Sequence, residues 1–394
     1  MKILYIHQYF STPQGAAGTR SYEFARRFVA AGHEVTMLCG RSRWTTIKGA
    51  DGINVVRVGA SASNNDSYFR RIVGFLKFSI LSTWEVLRLE YDIIYATSTP
   101  LTVAIPALVG KHLRNKAFVF EVRDLWPELP RAMGIIRSRS VLGVLEIFES
   151  FAYQSADALV GLSPGIVKGI RKKRPNALIE MIPNSCDLDL FKPCREKRIV
   201  SPKIGSEDFV AVFCGAHGRA NGLDSVLDAA AYLKKHACDG IKVLLVGDGH
   251  LKPHLMNRVK NEALSNVVFM DPLPKNQLAE LISRCDCGLM SLADIEAFQF
   301  GTSPNKFFDY ISCGLPVVCN YPGWLAGLIA DWDCGLVSDA GNAASLANAL
   351  EKLAEDPIRC ATMGRNSRKL AENEFNRDNL FTRLEKLILQ FQKT

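Results

Sequence analysis

Short runs of consecutive apolar residues alternate along this chain with longer segments of helical periodicity. The first run, residues 3–7, is followed by a helical pattern at 19–31 and by a second apolar run at 34–39. Runs that are apolar at nearly every position are typical of parallel strands covered on both faces. The order of strand, helix and strand predicts the opening of a doubly wound sheet.

The same alternation continues, is interrupted by a charged, proline-containing linker at 192–207, and then starts again. Further strands are predicted at 92–97, 117–122, 158–162, 179–183, 209–214, 242–246, 267–270 and 315–319. Helices are predicted at 69–91, 141–153, 223–236, 277–285 and 378–394. The pattern therefore predicts two doubly wound, Rossmann-like α/β domains, 1–191 and 208–375, with a C-terminal helix within 376–394 that can return to the first domain.

The length and composition agree with this organisation, and the charge adds an asymmetry. The 394 residues suit two domains, and 48% hydrophobic with 22% charged residues is typical of a folded globular protein. Residues 1–195 contain 26 Lys and Arg against 16 Asp and Glu, whereas the remainder contains 22 against 24. A basic first half indicates an anionic partner or surface for the first domain only, and a nucleic acid is not expected as that partner.

The cysteines and histidines do not suggest a metal site. The eleven cysteines include no CxxC pair, which favours a reducing compartment over a disulfide framework. Cys285 and Cys287 are spaced for alternation on a strand, so packing is favoured over metal binding. His250 and His254 have helical i, i+4 spacing but no convergent cysteine or acid, and surface positions are favoured.

No targeting or membrane-spanning segment is expected from the sequence. The first residues, MKILYIHQYF, lack the long apolar stretch of a signal peptide and are interpreted as a buried strand. No run reaches the roughly 18–20 apolar residues of a membrane span. The expected location is the cytoplasm.

The most informative stretch is 303–323, SPNKFFDYISCGLPVVCNYPG. Ser303 and Pro304 supply a helix start, and Lys306 lies in the first turn, where the helix dipole would favour an acid. A cation at this place is explained by an anion that the dipole and the lysine both hold, and phosphate is the natural candidate. Asp309 lies one turn further on the same face and can accept hydrogen bonds from a sugar hydroxyl.

Glycine-containing loops follow the first predicted strand of each domain. Gly15 and Gly18 would let a ligand approach the backbone at the carboxyl end of the strand, although two ordinary turn glycines are the alternative. Arg219 lies among three glycines after the strand at 209–214, and so places a cation beside free backbone amides.

The strand at 117–122 runs directly into Arg123, Asp124 and, four residues later, Glu128. Polar groups at the carboxyl end of a parallel strand point into the ligand crevice. The alternative is that Arg123 and Asp124 pair with each other or with Glu128.

The helix predicted at 69–91 is apolar over most of its surface. Its polar stripe consists of Arg70, Gly74, Lys77, Ser82, Glu85 and Arg88. Basic residues beside Phe and Trp fit a helix that lies in a membrane interface, whereas a core helix with a basic solvent edge is the alternative, and both can hold along its length. The basic cluster at 168–174 strengthens the membrane interpretation if it shares the same face.

Together these motifs resemble glycosyltransferase family 4, and the resemblance runs nearly end to end. It is carried by GAAGTR (15–20), RDLWPE (123–128), IPNSCDLDLF (182–191), GAHGRANGLD (215–224), VGDG (246–249) and SPNKFFDYISCGLPVV (303–318). Within the family the chain is most similar to bacterial enzymes that add amino sugars or deoxysugars to lipid-linked precursors of surface polysaccharide such as O-antigen or capsule.

This resemblance implies the GT-B fold and a retaining transfer of a sugar, an N-acetylated amino sugar or a deoxysugar, from a UDP-sugar to a lipid-linked acceptor. It implies no catalytic metal and no other cofactor. The protein would be peripheral, on the cytoplasmic face of a bacterial plasma membrane with an anionic surface.

The resemblance also implies roles for particular residues. Arg219 and Lys306 would hold the diphosphate as catalytic residues, Asp309 would bind the ribose, and Asp124 would act on the acceptor side beside Arg123 and Glu128. The other donor-side positions that it implies are Gly15, Ala16, Ala17, Gly215, Asp248, Gly249, His250, Leu273, Pro274, Ser303, Pro304 and Asn305.

Three positions depart from the family pattern. Two glutamates are common in the family, and the first of them contacts the donor sugar. Gly301 occupies the position of that first glutamate here, so Glu296 is the candidate for this contact. The lysine that often follows the phosphate-binding arginine is Asn221 here. The histidine at the end of the first-domain strand falls on Arg123, which leaves Asp124 as the acceptor-side group.

Three other functions are weighed against sugar transfer. A nucleotide-sugar 2-epimerase would need acid and base groups around the sugar and no lipid-facing helix. A nicotinamide dehydrogenase would need GxGxxG with an acid about twenty residues further on, which is absent. A non-catalytic, membrane-bound sugar-nucleotide sensor or scaffold would keep Arg219 and Lys306 and tolerate the loss of Asp124.

Overall fold

The structure is a computed structural model. It describes residues 1–13, 15, 18–41, 45–49, 51–60, 68–194, 201–295 and 301–392. The chain folds into two α/β domains, each built on a parallel sheet, as the apolar pattern predicted. The doubly wound fold of two Rossmann-like domains is thereby confirmed.

The first domain contains an eight-stranded sheet. Its strands are β1 (Lys2–Ile6), β2 (Glu34–Arg41), β3 (Thr45–Lys48), β4 (Asn54–Gly59), β5 (Ile93–Thr97), β6 (Ala117–Val122), β7 (Ala158–Gly161) and β8 (Ile179–Met181). Their order is β3-β4-β2-β1-β5-β6-β7-β8, and β3 alone among them pairs antiparallel. The helices of this part are α1 (Arg20–Ala30), α2 (Tyr68–Arg88), α3 (Ala104–Leu113), α4 (Glu128–Ala132), α5 (Arg139–Ser155) and α6 (Pro164–Lys173).

The second domain contains a six-stranded parallel sheet. Its strands are β9 (Phe209–Cys214), β10 (Ile241–Val246), β11 (Val267–Met270), β12 (Cys287–Met290), β13 (Val317–Cys319) and β14 (Gly335–Val337), in the order β11-β10-β9-β12-β13-β14. The helices that follow the first domain are α7 (Leu223–Lys235), α8 (Lys252–Asn261), α9 (Lys275–Ile282), α10 (Asn305–Ser312), α11 (Trp324–Asp331), α12 (Ala343–Glu355), α13 (Pro357–Asn373) and α14 (Arg377–Leu389).

Each sheet is buried on both faces, because apolar residues from helices pack against either side of it. In the first domain the chain switches direction across the sheet between β1 and β5, and in the second between β9 and β12. Ligands of doubly wound folds bind beyond the carboxyl ends of the strands at such switch points. The loops that follow β1 and β9 are therefore the places where a site is expected.

The last helix, α14, packs on the first domain rather than on the second. Leu380, Leu384 and Ile388 are fully or almost fully buried in the same apolar cluster as Phe28 of α1. Arg377, at the start of α14, donates hydrogen bonds to Ser185 Oγ and to the carboxylate of Asp187. The chain thus crosses between the domains twice, and these crossings lie side by side.

Candidate functional site

A cavity of about 410 Å³ lies between the two domains, at the carboxyl ends of β9 and β10. Gly15 and Gly18, from the loop after β1, contribute to its wall from the first domain. A Cβ atom placed on Gly18 would lie 2.9 Å from Asn305 Nδ2, so this loop approaches the start of α10 closely. The site is therefore formed by both domains.

The backbone on the floor of the cavity is tightly packed. Gly247 has φ +147°, and a Cβ atom there would lie 1.9 Å from the carbonyl oxygen of Gly215, so only glycine fits. Below this floor His217 is completely buried, and neither of its ring nitrogens has a hydrogen-bond partner among the described residues. Burial lowers the pKa of His217 to about 4, which keeps its ring neutral.

Lys306 provides the positive charge of the cavity that is not paired with an acid among the described residues. It lies in the first turn of α10, and its Nζ donates to Asn221 Oδ1 at 2.9 Å and lies 3.9 Å from the centre of the Phe213 ring. Burial lowers the pKa of Lys306 from 10.5 to about 7, and no described residue forms an ion pair with it. A lysine desolvated without an acidic partner, at the amino end of a helix, forms a site prepared for an anion.

Asp309 lies one turn after Lys306 and also lines the cavity. Burial raises the pKa of its carboxyl group, and Lys275, whose Nζ lies 3.6 Å from Asp309 Oδ1, opposes this effect. Lys275 is a cavity residue that the sequence analysis missed. The signal was present, because Lys275 is the first residue of α9 and repeats the pattern of a cation in the first turn that singled out Lys306.

The structure brings together part of the predicted donor set. The residues of that set that line the cavity are Gly15, Gly215, Asp248, Leu273, Asn305, Lys306 and Asp309. Gly249, His250, Pro274, Ser303, Pro304 and Arg219 lie outside the lining. Ala16, Ala17 and Glu296 fall outside the described residues.

Ser303 and Arg219, two of the residues outside the cavity lining, have different surroundings. Ser303 Oγ accepts a hydrogen bond from the backbone N–H of Asn184, so its hydroxyl binds the segment that joins the domains. Arg219 lies on a short turn, Arg219–Asn221, where it is exposed and makes no ion pair with any residue in the described ranges. Asn221, which stands where the family often has a lysine, is the residue of this turn that contacts Lys306.

Two spacing arguments from the sequence are corrected by the structure. His250 precedes α8 and only His254 lies on that helix, so the two histidines do not form a helical pair. Cys285 is buried but precedes β12, and only Cys287 is on the strand. Within the described ranges, no cluster of three or more His, Cys, Asp or Glu side chains could hold a metal ion.

The predicted acceptor-side residues lie at the carboxyl end of β6, on the first domain. Asp124 Oδ2 accepts a hydrogen bond from Thr99 Oγ1 at 2.9 Å, and the backbone N–H of Arg123 donates to Ser98 Oγ. The Arg123 guanidinium lies 3.5 Å from His7 Nε2 rather than pairing with Asp124. Glu128 is exposed at the start of α4.

A buried ion pair supports this edge of the first domain. Arg20 donates to Glu121 Oε2 from Nε at 3.1 Å and from Nη2 at 2.7 Å, and Glu121 is completely buried. Burial alone would raise the pKa of Glu121, but Arg20 lowers it to about 2. Arg20 also donates to the carbonyl oxygens of Ile182 and Pro183, which precede the segment that joins the domains. The pair therefore connects the loop after β1 to the crossing between the domains.

The outer face of α2 is apolar. Ile72, Val73, Leu76, Ile80, Trp84 and Leu87 each expose between 43% and 69% of their surface. The predicted polar stripe is wrong in part, because Ser82 and Glu85 face inwards and are buried. Within the described ranges, no helix combines the length and the apolar character needed to span a membrane.

The two sheets and the crevice between them define the GT-B fold. The structure superposes on sucrose-phosphate synthase from Thermosynechococcus elongatus with a TM-score of 0.78 and 18% identity, covering 99% of this chain and 98% of that one. It superposes on Anabaena HepE, solved with UDP and glucose, with a TM-score of 0.72 and 18% identity, covering 98% and 99%.

The domain families are those of glycosyltransferases. Residues 15–185 match the glycosyl transferase 4-like domain, and residues 195–370 match the family "Glycosyl transferases group 1". These matches leave unmatched only residues 1–14, 186–194 and 371–394. Residues 15–185 therefore belong to the glycosyl transferase 4-like domain family, and residues 195–370 belong to the glycosyl transferases group 1 family.

The curated relatives match about half of the chain at low identity. The chain is 28% identical over 200 residues to D-inositol 3-phosphate glycosyltransferase of Pseudarthrobacter chlorophenolicus, which covers 50% of this chain and 46% of the relative. It is 24% identical over 219 residues to the GDP-mannose-dependent monoacylated alpha-(1-6)-phosphatidylinositol monomannoside mannosyltransferase of Corynebacterium glutamicum, covering 53% and 55%. The chain spans about half the length of the curated relatives it matches.

Proposed function

We propose that the protein transfers a sugar from a UDP-sugar to a lipid-linked acceptor in the synthesis of bacterial surface polysaccharide. The observation that carries this proposal is the cavity between the domains, in which the desolvated Lys306 lies at the start of α10 with Asp309 one turn further on. A diphosphate would restore the charge on Lys306, and the Asp309 carboxylate would accept hydrogen bonds from the ribose. The transferred group is an N-acetylated amino sugar or a deoxysugar.

The proposed chemistry needs positive charge where the leaving diphosphate develops negative charge. Lys306 and the first backbone N–H groups of α10 supply it from the cavity wall, and Arg219 would approach from the edge of the cleft. We propose that this charge acts without a catalytic metal. We further propose retention, with the acceptor hydroxyl and the leaving diphosphate on the same face of the sugar. Asp124 would orient that hydroxyl from the carboxyl end of β6.

Binding of the nucleotide is the first test. We expect UDP to raise the melting temperature by several degrees at saturation, with or without EDTA, because a ligand that binds only the native state stabilises it. Asp309→Asn should reduce the shift, since the amide keeps the shape but loses the charge that accepts the ribose hydroxyls. GDP is the essential comparison, because a curated relative is GDP-mannose-dependent. A shift with GDP alone would move the donor to guanosine sugars, and a shift with neither would contradict the nucleotide site.

Asp124→Asn separates catalysis from binding. A sensor or scaffold would bind the sugar nucleotide without needing this carboxylate, whereas a transferase that uses it to orient the acceptor should lose at least about tenfold in turnover. The melting temperature and the UDP shift should be unchanged, because the Asp124 contact to Thr99 Oγ1 needs only an acceptor oxygen, which asparagine retains. Undiminished sugar transfer by Asp124→Asn would remove Asp124 from the mechanism.

The exposed apolar face of α2 supports a peripheral position on an anionic membrane, on the cytoplasmic side. Arg70, Lys77 and Arg88 flank this face at helical spacing, so the apolar side chains would enter the interface while the cations meet lipid phosphates. Two of the five cations at 168–174 are engaged with α5, since Lys173 pairs with Glu149 and Arg174 donates to the Tyr153 carbonyl.

Replacing Ile80 and Trp84 together by serine should weaken binding to phosphatidylglycerol vesicles at low salt by at least about tenfold. The two side chains are 69% and 58% exposed, so their loss removes apolar contact with lipid and leaves the fold intact. Ile358→Ser, on the second domain and 81% exposed, is the matched control and should bind like the parent protein. Equal binding by all three proteins would contradict the assignment of this surface.

A further inference from the structure

Lys275 is a second lysine in the wall of the cavity between the domains (the donor cavity). It is the first residue of α9, and 14% of its side chain is exposed. Its Nζ lies 5.3 Å from the centre of the ring of Phe191, which is completely buried in the same apolar cluster as Phe308 of α10. The ammonium group is thereby held between this apolar cluster and the cavity.

The ammonium group of Lys275 meets the carboxylate of Asp309. Lys275 Nζ lies 3.6 Å from Asp309 Oδ1, and only 10% of the Asp309 side chain is exposed. The helix dipole disfavours a cation in the first turn of a helix, so an anion beside Lys275 offsets this effect. Because removing two charges from water can cost as much as their attraction returns, such a pair is weak evidence for a purely structural role. Both side chains line the cavity, so a ligand that needs the Asp309 carboxylate would explain the pair.

Two cations and one anion act on the charge of Asp309. Burial raises the pKa of its carboxyl group, and Lys275 opposes this effect more than any other group does. Arg377 also lowers this pKa, whereas Asp187 raises it. Arg377 is shared, because its Nη1 pairs with Asp187 Oδ2 at 2.7 Å and with Glu23 Oε2 at 3.3 Å. Lys275 is therefore the main support of the ionised form of Asp309.

Among the described residues, the other titratable groups that interact with Asp309 are neutral near pH 7. They are the thiols of Cys186, Cys214 and Cys313 and the phenol of Tyr310, and burial raises the pKa of each of them. Lys306 precedes Asp309 by one turn, but its Nζ donates to Asn221 Oδ1 and forms no ion pair with a described residue. Without Lys275, the Asp309 carboxyl group would lie among neutral side chains and one shared arginine. Its protonated form would then be favoured.

The ionisation of Asp309 decides what the carboxyl group can bind. An ionised carboxylate only accepts hydrogen bonds, and its two oxygens can serve two hydroxyl groups at once, whereas a protonated acid has lost part of this capacity. We propose that Lys275 is a positioning residue of the donor site, which keeps the Asp309 carboxylate ionised and directed at the cavity so that it binds the two ribose hydroxyls of the nucleotide. This inference rests on the proposed function and deepens it, because it names the residue that sets the lower pH limit of donor binding.

The test measures the affinity of the full chain for UDP by isothermal titration calorimetry between about pH 5 and about pH 8. The affinity of each variant is divided by that of the parent protein at the same pH, so the titrations of UDP and of Lys306 cancel. Lys275→Met removes the charge, Lys275→Gln removes it with a second side chain in case methionine prevents folding, and Lys275→Arg keeps it. Lys260→Met, at an exposed position of α8, is the matched control.

We expect Lys275→Met to bind UDP at least about tenfold more weakly than the parent protein at about pH 5, and within about threefold of it at about pH 8. At the lower pH the unsupported Asp309 carboxyl group takes up a proton, whereas at the higher pH it is ionised in both proteins. Lys275→Arg and Lys260→Met should follow the parent protein throughout. An affinity ratio for Lys275→Met that is the same at every pH would overturn the proposal, because a direct ligand contact or a purely structural role would not depend on pH.

The variant Asp309→Asn tests whether Lys275 acts through Asp309, since the amide does not titrate in this pH range. Lys275→Met introduced into Asp309→Asn should change the UDP affinity by no more than about threefold at any pH, because the charge that Lys275 supports is already absent. A loss that still grows towards low pH in this background would overturn the proposal.

A measurement without ligand separates this inference from the proposed function. Infrared spectra follow the C=O band of protonated carboxyl groups, and the difference between a protein and its Asp309→Asn variant isolates the band of Asp309. In Lys275→Met this band should persist to higher pH than in the parent protein. That shift in a protein that does not bind UDP would support the hold of Lys275 on Asp309 and contradict the proposed function. UDP binding by the parent protein, with an unmoved band in Lys275→Met, would overturn the inference and leave the proposed function standing.

Discussion

Lys306→Met should lower kcat/KM for the sugar donor by about 100- to 1,000-fold. Lys306 is the cation of the donor cavity that meets no acidic partner in the described chain, and it is held over Phe213 and beside Asn221. The loss of one preorganised charge that faces the leaving group costs about 3–4 kcal/mol of transition-state stabilisation. Methionine keeps the length and most of the volume of lysine, so the effect should come from the charge.

The measurement is steady-state transfer or donor hydrolysis, with the melting temperature as a check of the fold. Lys260→Met, at an exposed position of α8, is the matched control and should leave the rate unchanged. Donor use by Lys306→Met within threefold of the parent protein would show that the cation does not face the diphosphate.

The lowered pKa of Lys306 predicts that donor binding depends on pH if Lys306 contacts the diphosphate. In the free protein the pKa is about 7, because burial disfavours the charged form, whereas a bound diphosphate favours it. Donor affinity should therefore be full below pH 7 and fall by up to about tenfold per pH unit above it, as binding has to take up a proton. A UDP-sugar is the better probe than UDP, since its diphosphate does not titrate near neutrality. Lys306→Met should flatten the profile.

Arg20→Met should lower the free energy of unfolding by about 3–5 kcal/mol, the largest effect that we expect on stability. The substitution leaves Glu121 completely buried without its cation, although Tyr95 and Thr97 continue to donate hydrogen bonds to it. It also leaves the carbonyl oxygens of Ile182 and Pro183 without a donor. Denaturant unfolding of the full chain measures the loss.

A double-mutant cycle with Glu121→Gln tests the cause. In the double variant no buried charge is left unpaired. Its loss in free energy of unfolding should therefore be about 1–3 kcal/mol smaller than the sum of the two single losses. The control is Arg284→Met, which breaks the surface ion pair with Glu280 and should cost less than about 1 kcal/mol. Strict additivity of the two single effects would contradict the ion-pair explanation.

The pH dependence of stability gives an independent measurement of the same pair. Arg20 holds the pKa of Glu121 at about 2, below its ordinary 4.5. The pair therefore stabilises the folded state fully above pH 4.5, and this stabilisation is lost as the pH falls towards 2. The double variant should lack this part of the acid sensitivity.

The pattern of apolar and polar residues predicted those helices and strands whose signal lies within a few consecutive residues. The strands β6, β9 and β11 have the predicted bounds, because each is a largely apolar run. The strands β3, β4 and β14 were not predicted, since their short segments contain polar residues or glycine and lack an uninterrupted apolar run. The start of α10, with Lys306 and Asp309 on one wall, was also predictable, because helix geometry places residues three apart on one face.

By itself the sequence determined the two doubly wound domains, the family resemblance and the cation at the start of α10. Only the tertiary structure decided that Arg20 meets Glu121, 101 residues away, that Lys275 meets Asp309, and that Arg219 lies outside the cavity lining. It also turned Ser303 towards Asn184. The physical reason is range: periodicity and capping act within a few residues, whereas ion pairs and cavities depend on how distant segments pack.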